Sequence, residues 1–174
     1  MASAQDAARK DELAMNELIK QANQNRPQDE MIFGGWLYNR SSTHKPLYLF
    51  TEKIWSGDFF NKYPNVIEES ASFVQTDRKE NGIKSAVVYS RKTSEDPSNH
   101  YGYLLAWSDS IQDGKNIRKT YGYCGLLEKF MNIDWDEVEK GLNEASSSFT
   151  YIDAYTRTLI KAHIVANVVY AEFD

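Results

Sequence analysis

The spacing of polar and apolar positions changes once along the chain, near residue 30. Over residues 5–25, Ala8, Met15, Leu18, Ile19 and Ala22 fall on one stripe at helical spacing, and Asp, Glu, Lys and Gln cover the rest. The pattern predicts an amphipathic helix that Asn25-Arg26-Pro27 stops. From Met31 the period shortens to that of strands. Runs are predicted over 32–38, 47–54, 67–76, 83–90, 101–107, 116–124, 149–156 and 159–173. In the fifth run Tyr101, Tyr103, Leu105 and Trp107 alternate with Gly102, Leu104 and Ala106. The last run is apolar on both faces, which predicts a central strand covered on both sides. Gly34-Gly35 inside the first run marks a bulge or a close approach. Turn signals at Asn81-Gly82, 95–99 and Asp113-Gly114 punctuate the runs. A second helix is predicted over 135–145, with Asp134 as its cap, Glu137 three residues on, and Trp135, Val138 and Leu142 as its apolar positions. The pattern as a whole predicts a mainly β protein: an antiparallel β-sandwich over 31–174 flanked by two helices, in a single domain spanning 1–174.

Composition narrows the function classes. The 174 residues suffice for one core without disulfides, and 41% apolar with 26% charged residues fits a globular chain. The net charge is -5, and no Lys/Arg run exceeds two residues. That excludes nucleic acid as an expected partner, and with it binding to anionic lipid by charge alone. The lone Cys124 reads as a small buried hydrophobe. The first residues lack an apolar signal core, so a soluble protein is expected, cytoplasmic or released unconventionally, that meets membranes peripherally.

No catalytic constellation is visible. His44, His100 and His163 have no metal-ligand spacing, and metalloprotease, paired-cysteine, phosphate-loop and nucleophile-elbow motifs are absent. Adjacent carboxylates such as Glu68-Glu69 and Asp136-Glu137 diverge in a strand or a helix. The expectation is a non-enzyme without metal or cofactor. What stands out is aromatic content of 13%, concentrated in Trp55-Ser56-Gly57-Asp58-Phe59-Phe60-Asn61-Lys62-Tyr63-Pro64. Such rings either plug the end of a sandwich or sit exposed. Exposed, they favour the headgroup level of a bilayer and cradle choline by cation–π attraction.

Several short motifs also carry a resemblance: Trp36-Leu37-Tyr38-Asn39, Trp55-Ser56-Gly57, Tyr63-Pro64, Ser85-Ala86-Val87-Val88-Tyr89, Leu104-Leu105-Ala106-Trp107-Ser108, Trp135 and the closing Glu172-Phe173. From Met31 to Asp174 the chain resembles the family that joins nakanori to the small jasmonate-induced proteins of plants, the nakanori branch more closely. It is similar, more distantly, to the sea-anemone actinoporins. The resemblance implies an actinoporin-like β-sandwich flanked by two α-helices, without catalytic activity. It also implies binding to sphingomyelin–cholesterol membranes through the phosphocholine headgroup. Ser56 and Ser108 match two serines of the actinoporin phosphocholine pocket. The pocket proline falls near Ser110. The tyrosine cluster falls on 127–131, where Phe130 is the only aromatic, and the aromatic membrane loop falls on 111–116, which has none. The expected lipid-contact residues are therefore Trp55, Ser56, Phe59, Phe60, Ser108 and Phe130. Charges at Arg9, Lys10, Asp11, Glu12, Glu17 and Lys20 leave the first helix unsuited to insertion, so binding without pore formation is expected. The alternative the resemblance leaves open is a jasmonate-induced stress protein acting through protein or glycan partners.

Overall fold

A computed structural model describes residues 4–24 and 26–174. Asn25 and the side chain of Ala8, parts of the predicted helix and its stop, lie outside the described residues. In chain order the elements are α1 (Ala4–Asn23), β1 (Glu30–Asn39), β2 (Leu47–Ser56), β3 (Asp58–Asn61), β4 (Val66–Ile67), β5 (Ser70–Arg78), β6 (Ile83–Arg91), β7 (Tyr101–Gln112), β8 (Lys115–Leu126), α2 (Trp135–Glu144), β9 (Ser148–Ile152), β10 (Leu159–Val165) and β11 (Val168–Phe173). The strands form two facing sheets. The first runs β3-β5-β1-β11-β10-β9 and the second β4-β2-β6-β7-β8. This is the predicted mainly β sandwich with a helix on each side.

Alternation decides which side chains fill the space between the sheets. On β7, Tyr103, Leu105 and Trp107 face inward and meet Phe33, Leu37, Phe73, Tyr89, Val169 and Phe173 in the central cluster. Their neighbours Leu104 and Ala106 face outward and are covered by Val138 and Leu142 of α2. On the other side Met15 and Ala22 of α1 cover Ile32, Trp36, Val74 and Val168. One polar group is taken into the centre with its partners supplied. Gln75 donates to Ser85 Oγ at 2.8 Å and accepts from the Trp107 indole at 3.0 Å. Asp134 caps α2 as expected, accepting from the amides of Asp136 and Glu137. The Gly34-Gly35 pair is a close approach. A Cβ on Gly35 would stand 1.9 Å from the Phe73 ring.

Three features depart from the strand pattern. The run 159–173 is a hairpin, not one central strand: β10 and β11 pair antiparallel, with Val165 opposite Val168. Its turn holds Ala166 at φ 51° and carries no glycine or proline to announce it. The short β3 and β4 break what the pattern shows as one aromatic loop and one strand start. Lastly, β1 and β11 pair in parallel, Gly34 opposite Val168 and Asn39 opposite Phe173, at the centre of an otherwise antiparallel sheet.

Candidate functional site

The expected lipid-contact residues separate into different environments. Phe130 is buried, stacked on Tyr123 at 5.3 Å, in the space left by the missing side chain of Gly102. It is a packing residue beneath α2, with no ring face for a ligand. Phe59 is half-buried, edge-on to Tyr63 at 5.2 Å and to Phe73 at 6.2 Å. Phe60 is 52% exposed at a bulge of the edge strand β3. Trp55 lies half-buried on the outer face of β2, edge-on to Trp135 at 6.2 Å. Of the six, the structure brings Ser56 and Ser108 into one row: Ser56 is opposite Lys84 and Lys84 is opposite Ser108. The cation between the two serines is tied down by Glu139 at 2.9 Å and Asn143 at 3.3 Å, both on α2. An ammonium thus stands between them, and it repels a choline headgroup. Ser108 is itself 8% exposed.

A different place gathers complementary chemistry. On β1 and β11 the even positions Trp36, Tyr38, Tyr170 and Glu172 face outward, and on β10 the odd positions Lys161, His163 and Val165 do so. Leu37, Ala162 and Ala171 point into the centre. Helix α1 covers the β1 side of this face as far as Val168 at the start of β11, and leaves β10 and the rest of β11 open. Between them runs a groove of about 490 Å³ lined by Glu12, Tyr38, Arg40, Lys161, His163, Val165, Tyr170 and Glu172.

The groove is electrostatically organised. Glu172 accepts from Arg40 at 3.0 Å and from Lys161 at 2.8 Å. Burial opposes ionisation of Glu172, but these two hydrogen bonds outweigh it and hold the carboxyl below its ordinary value. The Arg40 guanidinium lies over the Tyr38 ring at 4.6 Å. Tyr38 is pushed up to about 12, chiefly by burial and then by the charge of Asp11. The Tyr170 ring stacks on His163 at 5.4 Å. Burial, and then the negative charge of Glu12, raises the Tyr170 hydroxyl. The groove therefore offers two cations, two carboxylates and stacked rings within one concavity. Among the described residues, no group of His, Cys, Asp and Glu is arranged to hold a metal ion.

No protein-family model matches the chain, and no curated protein sequence does. Solved structures do, among them a lipid-binding protein and a lectin. The lipid-binding protein Nakanori matches with a TM-score of 0.65 and 12% identity, over 93% of this chain and 78% of that one. The Xerocomus chrysenteron lectin XCL matches with a TM-score of 0.47 and 10% identity, over 82% and 98%. The chain shares the fold of Nakanori. At this identity the likeness concerns backbone architecture, and the groove residues stand on their own geometry.

No local stretch of sequence reveals the groove, because its parts come from α1, the end of β1 and Arg40 after it, β10 and β11. One local signal was present. Lys161, His163 and Glu172 are polar positions inside an otherwise apolar run. In a half-covered hairpin such positions mark the outward face.

Proposed function

We propose that the protein is a non-catalytic, peripheral lipid-binding protein that recognises choline phospholipid headgroups in sphingomyelin–cholesterol membranes without opening pores. The observation that carries this reading is the groove beside α1. Phosphocholine joins a phosphate to a quaternary ammonium. Arg40, held over Tyr38, and Lys161 supply charge-assisted donors for the phosphate. The Tyr170 ring and Glu12 attract the ammonium. With two cations and two carboxylates the lining is nearly neutral, which suits a zwitterion better than an anionic lipid. A groove of about 490 Å³ lies in the usual range for small ligands. Val165, 56% exposed at the rim, adds apolar contact. That Nakanori, with the same fold, is a lipid-binding protein supports the assignment. A net charge of -5 favours a neutral surface as target.

Vesicle sedimentation tests this. Binding is expected with sphingomyelin and cholesterol together and is expected to change little with salt, since the target carries no net charge. Arg40→Ala is expected to weaken binding about tenfold without lowering Tm, and Tyr170→Ala to weaken it as much while lowering Tm modestly, since its ring packs against the α1 cluster. Phe60→Ala, at the exposed bulge of β3, is expected to cost about threefold, and Trp55→Ala, on the outer face of the opposite sheet, to leave binding unchanged. Equal binding to phosphatidylcholine vesicles without cholesterol would remove the proposed target. Full binding by both groove variants would remove the site. Strong glycan-array signals without vesicle binding would replace the reading with a glycan-directed one.

A further inference from the structure

The end of the sandwich formed by the loop after β1, the loop after β6 and the loop between β9 and β10 encloses a second cavity of about 310 Å³. Lys45, Arg91 and Arg157 line it, and Asp174 is the one carboxylate on its wall. Arg91 is 5% exposed. Its guanidinium donates to three neutral acceptors: Tyr103 Oη at 2.5 Å, Asn39 Oδ1 at 2.6 Å and the Phe173 carbonyl at 3.1 Å. Its Nε is buried and finds no acceptor. A buried charge normally has a counterion, because burial penalises the charged form. Here burial does lower the Arg91 pKa, opposed only in part by Tyr103 and the charge of Asp174. Among the described residues, none of the three cations forms an ion pair. Lys45 is held by the Thr93 carbonyl at 2.9 Å.

The rest of the wall is suited to oxygen ligands. Ser41, Ser42 and Thr43 bring three hydroxyls. Arg157 is held at φ 62°, a conformation fixed by its own amide, which donates to Asp153 at 2.8 Å. Asp153 is in turn bound by Lys129 and by the Thr156 amide. The site sets three cations and several hydroxyl donors against the single side-chain carboxylate of Asp174, and so carries an excess of positive charge.

We infer that this cavity binds a phosphate monoester, with the side chains of Lys45 and Arg157 gripping the phosphate oxygens and the buried charge of Arg91 behind them. The site is separate from the groove beside α1, and the inference does not depend on the function proposed for that groove. The same phosphate chemistry could reach the cavity on a soluble molecule or on a lipid headgroup.

Calorimetric titration of the full chain with inorganic phosphate, at ionic strength fixed by chloride, is the test. Saturable one-to-one binding is expected, competed by glycerol 3-phosphate. Arg91 also ties β1, β7 and β11 together, so its replacement endangers folding. The decisive variants are Lys45→Gln and Arg157→Gln on the cavity wall. Each is expected to weaken phosphate about tenfold, the loss of one charge-assisted hydrogen bond, with an unchanged Tm. Tyr170→Ala, in the other groove, is expected to leave phosphate binding untouched. Phosphatidic acid vesicles that bind the protein and release it on addition of inorganic phosphate would assign the monoester to lipid. Binding of glycerol 3-phosphate without vesicle binding would assign it to a soluble molecule. Absence of saturable binding, or equal affinity in both wall variants and the parent, would overturn the inference.

Discussion

Asp153 shows how a single side chain fixes a loop. Its carboxylate is held at a pKa of about 2, first by the hydrogen bond from Lys129 at 2.5 Å and then by the Thr156 amide at 2.8 Å. The folded value lies below the ordinary 3.8. The stabilisation is therefore complete above about pH 4 and is lost as the pH falls through 2. Asp153→Asn is expected to lower Tm by roughly 3 °C at neutral pH. The gap between variant and parent should close between pH 4 and pH 2 in a calorimetric series. A gap independent of pH would show that the ion pair is not its source. The lone thiol illustrates the opposite environment. Burial raises the pKa of Cys124, so the thiolate is scarce and the residue behaves as the small apolar group its sequence context indicated.

At the scale of elements, α1 is a separate layer. Met15 is fully buried and Ala22 nearly so, while Leu18 and Ile19 are only partly covered. Beneath them the Trp36 indole N–H is buried without an acceptor. Leaving it unpaired costs about 1–3 kcal/mol, which offsets part of the gain from covering the ring. Met15→Ala is expected to cost about 2–3 kcal/mol. It should speed hydrogen exchange across Ala4–Asn23 while leaving β6 and β7 protected. Uniform acceleration through the sandwich would show instead that α1 and the sheets unfold as one unit.

The same scale shows what could be read from sequence. The strands β6 and β7 were legible because each is long and alternates under a helix on one side and a partner sheet on the other. The cap of α2 was legible because Asp134 acts on amides two and three residues away. The β10–β11 turn was not, since Ala166 adopts a left-handed conformation that tertiary pairing imposes and composition does not announce. The short β3 and β4 offer too few positions for a period to show.

For the whole molecule the informative facts are non-local. The aromatic segment 55–64 stood out in the sequence, but its rings divide between the core, the outer face of β2 and an exposed bulge. The groove, in contrast, is assembled by the sheet order from residues that no local window contains. The molecule also bears on pore formation. No helix among the described residues is long and apolar enough to cross a membrane, and α1 carries Arg9, Lys10, Asp11, Glu12, Glu17 and Lys20. Each charge placed in hydrocarbon costs about 2.5–3.5 kcal/mol. Dye-loaded sphingomyelin–cholesterol vesicles are expected to stay sealed at protein concentrations that saturate their surface. Prompt leakage would contradict the pore-free reading.

The parallel pairing of β1 with β11 has a consequence for how the chain is made. Both strands occupy the middle of their sheet, yet one is synthesised early and the other late. While the ribosome is still working, β5 and β1 can pair and the β6–β7–β8 meander can close, but the inner seam of the six-stranded sheet stays open with its amides and carbonyls bare. The nascent protein therefore passes through a stage in which its most buried backbone is its most adhesive, and only translation of the final hairpin seals it.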